Sequence, residues 1–142
     1  MDSALVWAAG LAGLAAGGAL GAVLRLGLNR RLGRRGVLVA NTTSAFVLGF
    51  TLGLALPNLL FMHGLDEGWT GTAWMLAGSL VSGLCLALGT WSTVAGHAAD
   101  AVLASRWGEA ARLWAAHLGL GMLVVVAGWG LGLGSHVLLA RL

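Results

Sequence analysis

Four long apolar stretches, at about residues 4–24, 37–56, 70–99 and 113–140, alternate with three short polar ones. A hydrocarbon core about 30 Å thick takes roughly 20 helical residues to cross. Each stretch is therefore long enough to span, and the pattern predicts an all-α integral membrane protein with four transmembrane helices in one domain, residues 1–142. The third stretch is too long for one straight span. Near its middle, Leu88-Gly89-Thr90-Trp91-Ser92-Thr93-Val94 sets three hydroxyls and a glycine in apolar surroundings, which predicts a helix broken near 89–93. Non-helical backbone at membrane depth survives only where protein or a watery cavity satisfies its N–H and C=O groups. Transporters place ion sites at such breaks.

The other spans have their own polar and small-residue patterns. In the first, Gly13, Gly17 and Gly21 fall four apart on one stripe, where another helix can approach closely; the span is expected to end at Arg25, before a loop with Arg30, Arg31, Arg34 and Arg35. The second opens with Asn41-Thr42-Thr43-Ser44, puts Asn41, Ser44 and Leu48 on one face, pairs Gly49 with Gly53 and is expected to stop at Pro57. An Asn so deep in a span needs a partner: either an interhelical hydrogen bond or a pore anion, to which its amide can donate. Asn58, His63, Asp66 and Glu67 lie in the following loop, with Trp69 and Trp74 suited to an aromatic belt. Asp100, Arg106, Glu109 and Arg112 form the third polar segment, and the fourth span carries Gly119, Gly121, Gly128 and Gly132, with His117 near its entry.

Composition places the chain in the membrane: 58% of residues are hydrophobic and 9% charged, against about 25% charged in soluble domains. The basic residues are all arginines and flank the spans, which argues for anchoring and against nucleic acid. Seven of the eight fall in the first and third polar segments or just before them and one, Arg141, at the other side, so the positive-inside rule predicts those loops in the cytoplasm and both termini outside a plasma-membrane protein. Asp2 and the length of the first apolar stretch favour a retained helix over a cleaved export signal. The lone Cys85 reads as a small buried hydrophobe, and none of the histidines 63, 97, 117 and 136 makes a close metal-ligand pair.

Three stretches then match a known family. Gly17-Gly18-Ala19-Leu20-Gly21-Ala22-Val23-Leu24-Arg25 resembles the GGxxGAxxR signature of the Fluc/CrcB fluoride channels. Residues 36–50, with Asn41, Phe46 and Gly49, are similar to that family's second-helix motif, and Thr90-Trp91-Ser92-Thr93-Val94 to the T-T-F-S-T-F of its broken third helix. The resemblance implies a subunit of an antiparallel dimer that passes fluoride out of the cell passively, with membrane lipid around it and a structural Na+ held by backbone carbonyls at the break. Residue by residue it assigns Asn41, Thr90, Trp91, Ser92, Thr93, Val94 and His117 to the pore, Arg25, Gly17 and Gly21 to structure, and the sodium carbonyls to Leu86 and Gly89. Trp91 and Val94 stand where the family has two Phe rings, and Leu86 and Gly89 where it has glycine and threonine. These departures and the arginine bias point to a fixed-topology subunit that pairs with a homologous subunit of opposite topology.

Two other readings compete. A small multidrug exporter is also a four-helix chain, but needs a titratable carboxylate within a span to couple protons, and Asp66, Glu67, Asp100 and Glu109 all read as loop or helix-end residues. A non-conducting subunit that stabilises a partner would leave Asn41 without a role in flux. No nucleophile–base set or carboxylate pair within the spans suggests an enzyme.

Overall fold

The structure, a computed structural model, describes residues 3–60, 69–89, 91–139 and 141. These form five α-helices and no strand: α1 (Ser3–Leu32), α2 (Arg34–Leu60), α3 (Trp69–Leu88), α4 (Trp91–Leu103) and α5 (Trp107–Leu139). α3 and α4 are the halves of one interrupted span, so four segments are long and apolar enough to cross a membrane: Ser3–Leu32, Arg34–Ala55, Thr72–Leu103 and Trp107–Leu138. The expected all-helical, four-span architecture is thus present. In lipid a helix is the natural state of such Leu- and Ala-rich segments, because it satisfies every backbone group within the segment.

The helix ends differ from the expected ones, mostly outward. α1 does not end at Arg25 but carries Arg25, Arg30 and Arg31 as far as Leu32. Arginine is a good helix former, its stem can lie along apolar surface while the guanidinium reaches water, and the C-terminal end of the helix dipole favours positive charge. The stop comes at Gly33, whose φ of 55° is left-handed; its N–H bonds the Asn29 carbonyl at 2.9 Å, an αL cap. α2 therefore begins at Arg34, not near residue 37, and stays helical through position 57 to Leu60. A proline in the last turn removes one intrahelical bond, which did not end this helix. α5 starts at Trp107, not near 113, and takes Glu109 and Arg112 into its first turns. Before it, Ser105 adopts φ 58°, with Arg106 N–H on the Ala101 carbonyl at 2.7 Å and Ser105 N–H on the Val102 carbonyl at 2.8 Å. That is a Schellman cap with serine in the place usually given to glycine. The polar loop expected after Pro57 lies, over residues 61–68, outside the described residues.

Two parallel helix pairs make the body of the molecule. On α1 the buried residues are Gly13, Gly17 and Gly21, and they face the backbones of Leu76, Leu80 and Leu84 on α3 in that order. Gly83 of α3 returns the contact against the Leu14 carbonyl. The second pair repeats the device: Gly49 and Gly53 of α2 meet the carbonyls of Val125 and Trp129, while Gly128 and Gly132 of α5 meet those of Phe46 and Phe50. Lipid tails are as apolar as leucine, so association rests on dispersion between closely approaching backbones, and only residues without a bulky side chain permit it. α4 lies against α5 through Ala98, Ala101 and Ala110.

At one end the α1–α2 and α4–α5 turns meet. Glu109 accepts from Arg34 at 3.2 Å and from Arg106 at 2.6 Å. The two arginines are largely exposed and Glu109 is half-buried, so each pair is worth at most about 1 kcal/mol. Their value is topological, since they put the arginine-bearing turns on the same side of the bundle.

The glycine stripe makes a testable demand. A Cβ at Gly17 would run into the Leu80 carbonyl, whereas at Gly18 it meets nothing within 4 Å. Gly17→Ala should destabilise the detergent-solubilised protein by about 1–3 kcal/mol through overpacking, with Gly18→Ala neutral within about 0.5 kcal/mol, as read by reversible unfolding.

Candidate functional site

The break in the third span opens onto a cavity of about 520 Å³ between α2, α3, α4 and α5. α2 brings to it the face predicted by spacing, Asn41, Ser44 and Leu48; α3 brings Ser82, Cys85, Leu86 and Gly89; α4 brings Trp91; and α5 brings His117. Of the residues expected at a pore or ion site, Asn41, Leu86, Gly89, Trp91 and His117 therefore share one cavity. Val94 is packed in the interior at 1% exposure, and Ser92 and Thr93, on the first turn of α4, do not line the cavity. Thr90 lies outside the described residues. Arg25 is half-buried on α1, one turn beyond the Gly17–Gly21 contact.

Ser44, Ser82 and Cys85 were not expected at the site. Spacing had already put Ser44 on the Asn41 face, so its place was readable. Ser82 and Cys85 precede Gly89 by about two turns and one turn, the interval that stacks side chains on one helix face, but the apolar character of the run hid that face.

Hydrogen bonding decides what the polar groups can offer. Helical hydroxyls in an apolar medium commonly bond back to the preceding turn. Thr42 bonds the Leu38 carbonyl at 2.9 Å, Thr51 that of Val47 at 2.7 Å and Ser135 that of Leu131 at 2.9 Å. Ser44, 7% exposed, donates to the Asn41 carbonyl at 3.0 Å, so its proton is committed and its lone pairs remain. Asn41 and Trp91 also line the cavity, and their side chains carry amide and indole N–H groups, which can only donate.

The break itself is shaped by close contact. The Gly89 N–H bonds the Cys85 carbonyl at 2.9 Å and closes α3, and a Cβ at position 89 would come within 2.5 Å of Ser44 Oγ. Glycine is needed there because the Ser44 hydroxyl takes the space. Beyond the break Trp91 stacks on Trp114 of α5, with ring centroids 5.6 Å apart and planes 19° from parallel. This stacking holds the start of α4 against α5 beside the cavity. Because α3 ends at Leu88, the carbonyls that follow Cys85 in its last turn have no continuing helix to bond. Neutral oxygens of this kind suit a hard cation such as sodium.

His117 completes the lining. It is 7% exposed, and its Nδ1 lies 2.8 Å from the Leu113 carbonyl. A carbonyl can only accept, so Nδ1 carries the proton and, in the neutral ring, Nε2 is a bare acceptor. Nε2 is buried and has no hydrogen-bond partner among the described residues.

The Ser44–Gly89 contact predicts coupling. Gly89→Ala alone should cost about 1–3 kcal/mol from overpacking. Combined with Ser44→Ala, which removes the obstructing Oγ, it should recover at least about 0.5 kcal/mol beyond additivity in a double-mutant cycle of unfolding free energies.

A family model described as CrcB-like protein, Camphor Resistance (CrcB), matches residues 12–129 of the chain. Among curated proteins, none matches it. The matched region covers α1 to α4 and most of α5, and so includes every described residue of the cavity.

Proposed function

The chain belongs to the CrcB family of multi-pass membrane transport proteins, and from that membership we propose that it is a subunit of a fluoride-selective passive channel that lowers cytoplasmic fluoride. The observation that carries this reading is the convergence of Asn41, Gly89, Trp91 and His117 on one cavity beside the broken span. Fluoride is small and strongly hydrated. A pore that passes it must replace water with fixed donors in a confined path, and amide and indole N–H groups are such donors. A positive aromatic edge adds weak attraction, here from tryptophan.

The subunit pairs antiparallel with a homologous subunit of opposite topology. Seven of eight arginines belong to one end of the molecule, and the contacts of Glu109 with Arg34 and Arg106 join the turns that carry most of them. By the positive-inside rule that end faces the cytoplasm and both termini face outside, a bias that suits one fixed orientation. Leu86 and Gly89 supply the carbonyls for a structural Na+ at the break, where its charge would balance the negative end of α3.

Asn41 is the residue on which the reading turns. In liposomes holding the chain together with its homologous partner subunit, Asn41→Ala should cut fluoride efflux by about tenfold to a hundredfold, the worth of one hydrogen bond to a charged group. Asn41→Asp should reduce it further by placing like charge in the path. Undiminished efflux with both variants would reject the conducting role and favour a subunit that only stabilises its partner.

A further inference from the structure

Three charged side chains at one end of the bundle form an unbalanced group. Arg34 is the first residue of α2, directly after the left-handed Gly33. Arg106 stands directly before α5, and its carbonyl accepts from the N–H groups of Glu109 and Ala110 at 3.0 and 3.2 Å. Tight backbone at both turns therefore sets where the two side chains start. They converge on the two oxygens of Glu109, Arg34 Nη1 on Oε1 at 3.2 Å and Arg106 Nη1 on Oε2 at 2.6 Å. One carboxylate thus gathers two guanidiniums, and the group keeps a net positive charge. Each guanidinium has five N–H donors, so most remain unspent, and the two arginine side chains are 61% and 52% exposed.

The imbalance extends around the group. Arg30, Arg31 and Arg35 are exposed beside it and have no ion pair among the described residues. Among those residues the acids near this end are Glu109 and Asp100. α2 and α5 both begin here, so the positive ends of two helix dipoles add to the field. Apolar side chains stand next to the charges: Leu103, 85% exposed, ends α4, and Trp107, 66% exposed, opens α5 on the other side of Arg106. A soluble anion would use the charges and gain nothing from Leu103 and Trp107. A phospholipid uses both, with its phosphate on guanidiniums, which hold phosphate oxygens bidentately, and its chains on apolar surface.

We propose that Arg34 and Arg106, gathered by Glu109, form a binding site for the headgroup of an anionic phospholipid, with Leu103 and Trp107 against its glycerol and upper acyl region. Tryptophan settles at the depth of the headgroups, which puts the three charged side chains at the level of the phosphates. A zwitterionic lipid is disfavoured because it brings its own ammonium group, which the surplus arginines repel. On the orientation proposed above, this end lies in the cytoplasmic leaflet, whose anionic lipids attract juxtamembrane basic residues. The bound phosphate bridges the α1–α2 turn to the α4–α5 turn, where the chain's own exposed ion pairs contribute little.

The site lies within one chain and does not depend on what the cavity conducts, so full-length protein in detergent suffices for the test. Phosphatidylglycerol or phosphatidylcholine of the same acyl chains is added in increasing amounts, and bound lipid per chain is counted by native mass spectrometry. Phosphatidylglycerol should bind about tenfold more tightly than phosphatidylcholine. Arg34→Gln combined with Arg106→Gln should weaken phosphatidylglycerol binding by about tenfold to thirtyfold, the worth of two surface arginines facing anionic lipid. Arg141→Gln, at the opposite end, should leave it unchanged. Arg34→Lys combined with Arg106→Lys keeps the charge but loses the planar forks, and should weaken binding by about threefold or more. Millimolar glycerol phosphate should not displace the lipid. Equal binding of the two lipids by the unaltered protein, or undiminished phosphatidylglycerol binding in the glutamine pair, would overturn the proposal. Full affinity in the lysine pair would also overturn it, by making total charge the selector. Displacement by glycerol phosphate would do the same, by making the ligand a soluble phosphate.

Discussion

Close approach of backbone to backbone is the constraint on which this structure depends. A chain that is apolar all round gains nothing by moving leucines from lipid into protein, and α1 accordingly buries glycines while Leu5, Leu11, Leu20 and Val23 stay outside. What holds the helices is dispersion at short range, available only where a Cβ is missing. The two contacts, α1 on α3 and α2 on α5, use the same device in parallel pairs. Each pair leaves its partners' leucine-rich sides free for lipid or for a second subunit.

Rigid pairing of this kind makes a break affordable. α3 is gripped by α1 along Leu76 to Leu84, so its last turn is held in place when the helix stops at Leu88. α4 restarts against α5 through its alanines and the Trp91–Trp114 stack. The two helix ends at the break are thus held between two clamped elements, beside a cavity with polar side chains from α2 and α5. Gly89 belongs to both requirements, since it closes α3 through the Cys85 carbonyl and admits the Ser44 hydroxyl at the same position.

How legible each feature was in the sequence follows from the range of the forces that set it. The spans and the Gly13–Gly17–Gly21 stripe were readable because hydrocarbon thickness and helical period act on neighbouring residues. The break was readable near 89–93 because a run of 30 residues with a polar centre has few other solutions. The helix ends were not. Arg25, Arg30, Arg31, Glu109 and Arg112 look like loop residues by charge, yet they are good helix formers, and water at the bundle end accommodates their head groups. The site was readable in part: Asn41, Ser44 and Leu48 follow from spacing on one helix, whereas α3 is apolar all round, so which of its faces meets α1 and which, with Ser82 and Cys85, meets the cavity is set by contacts between helices.

The departures at the break also take on a physical sense. Replacement of a hydroxyl residue by Gly89 removes a polar side chain from α3, but the space it vacates holds the hydroxyl of Ser44 from α2. The polar atom has in effect changed helices while remaining next to the cavity. Trp91 is likewise a larger ring whose face is committed to Trp114, which fixes α4 more firmly than a lone phenylalanine would and commits one aromatic surface to architecture. Val94 is buried within the bundle and strengthens packing where the family's second ring would stand. Gly89, Trp91 and Val94 thus each tighten the contact of α3 or α4 with its surroundings, so that the break is held rigid by packing and not by continuity of the helix.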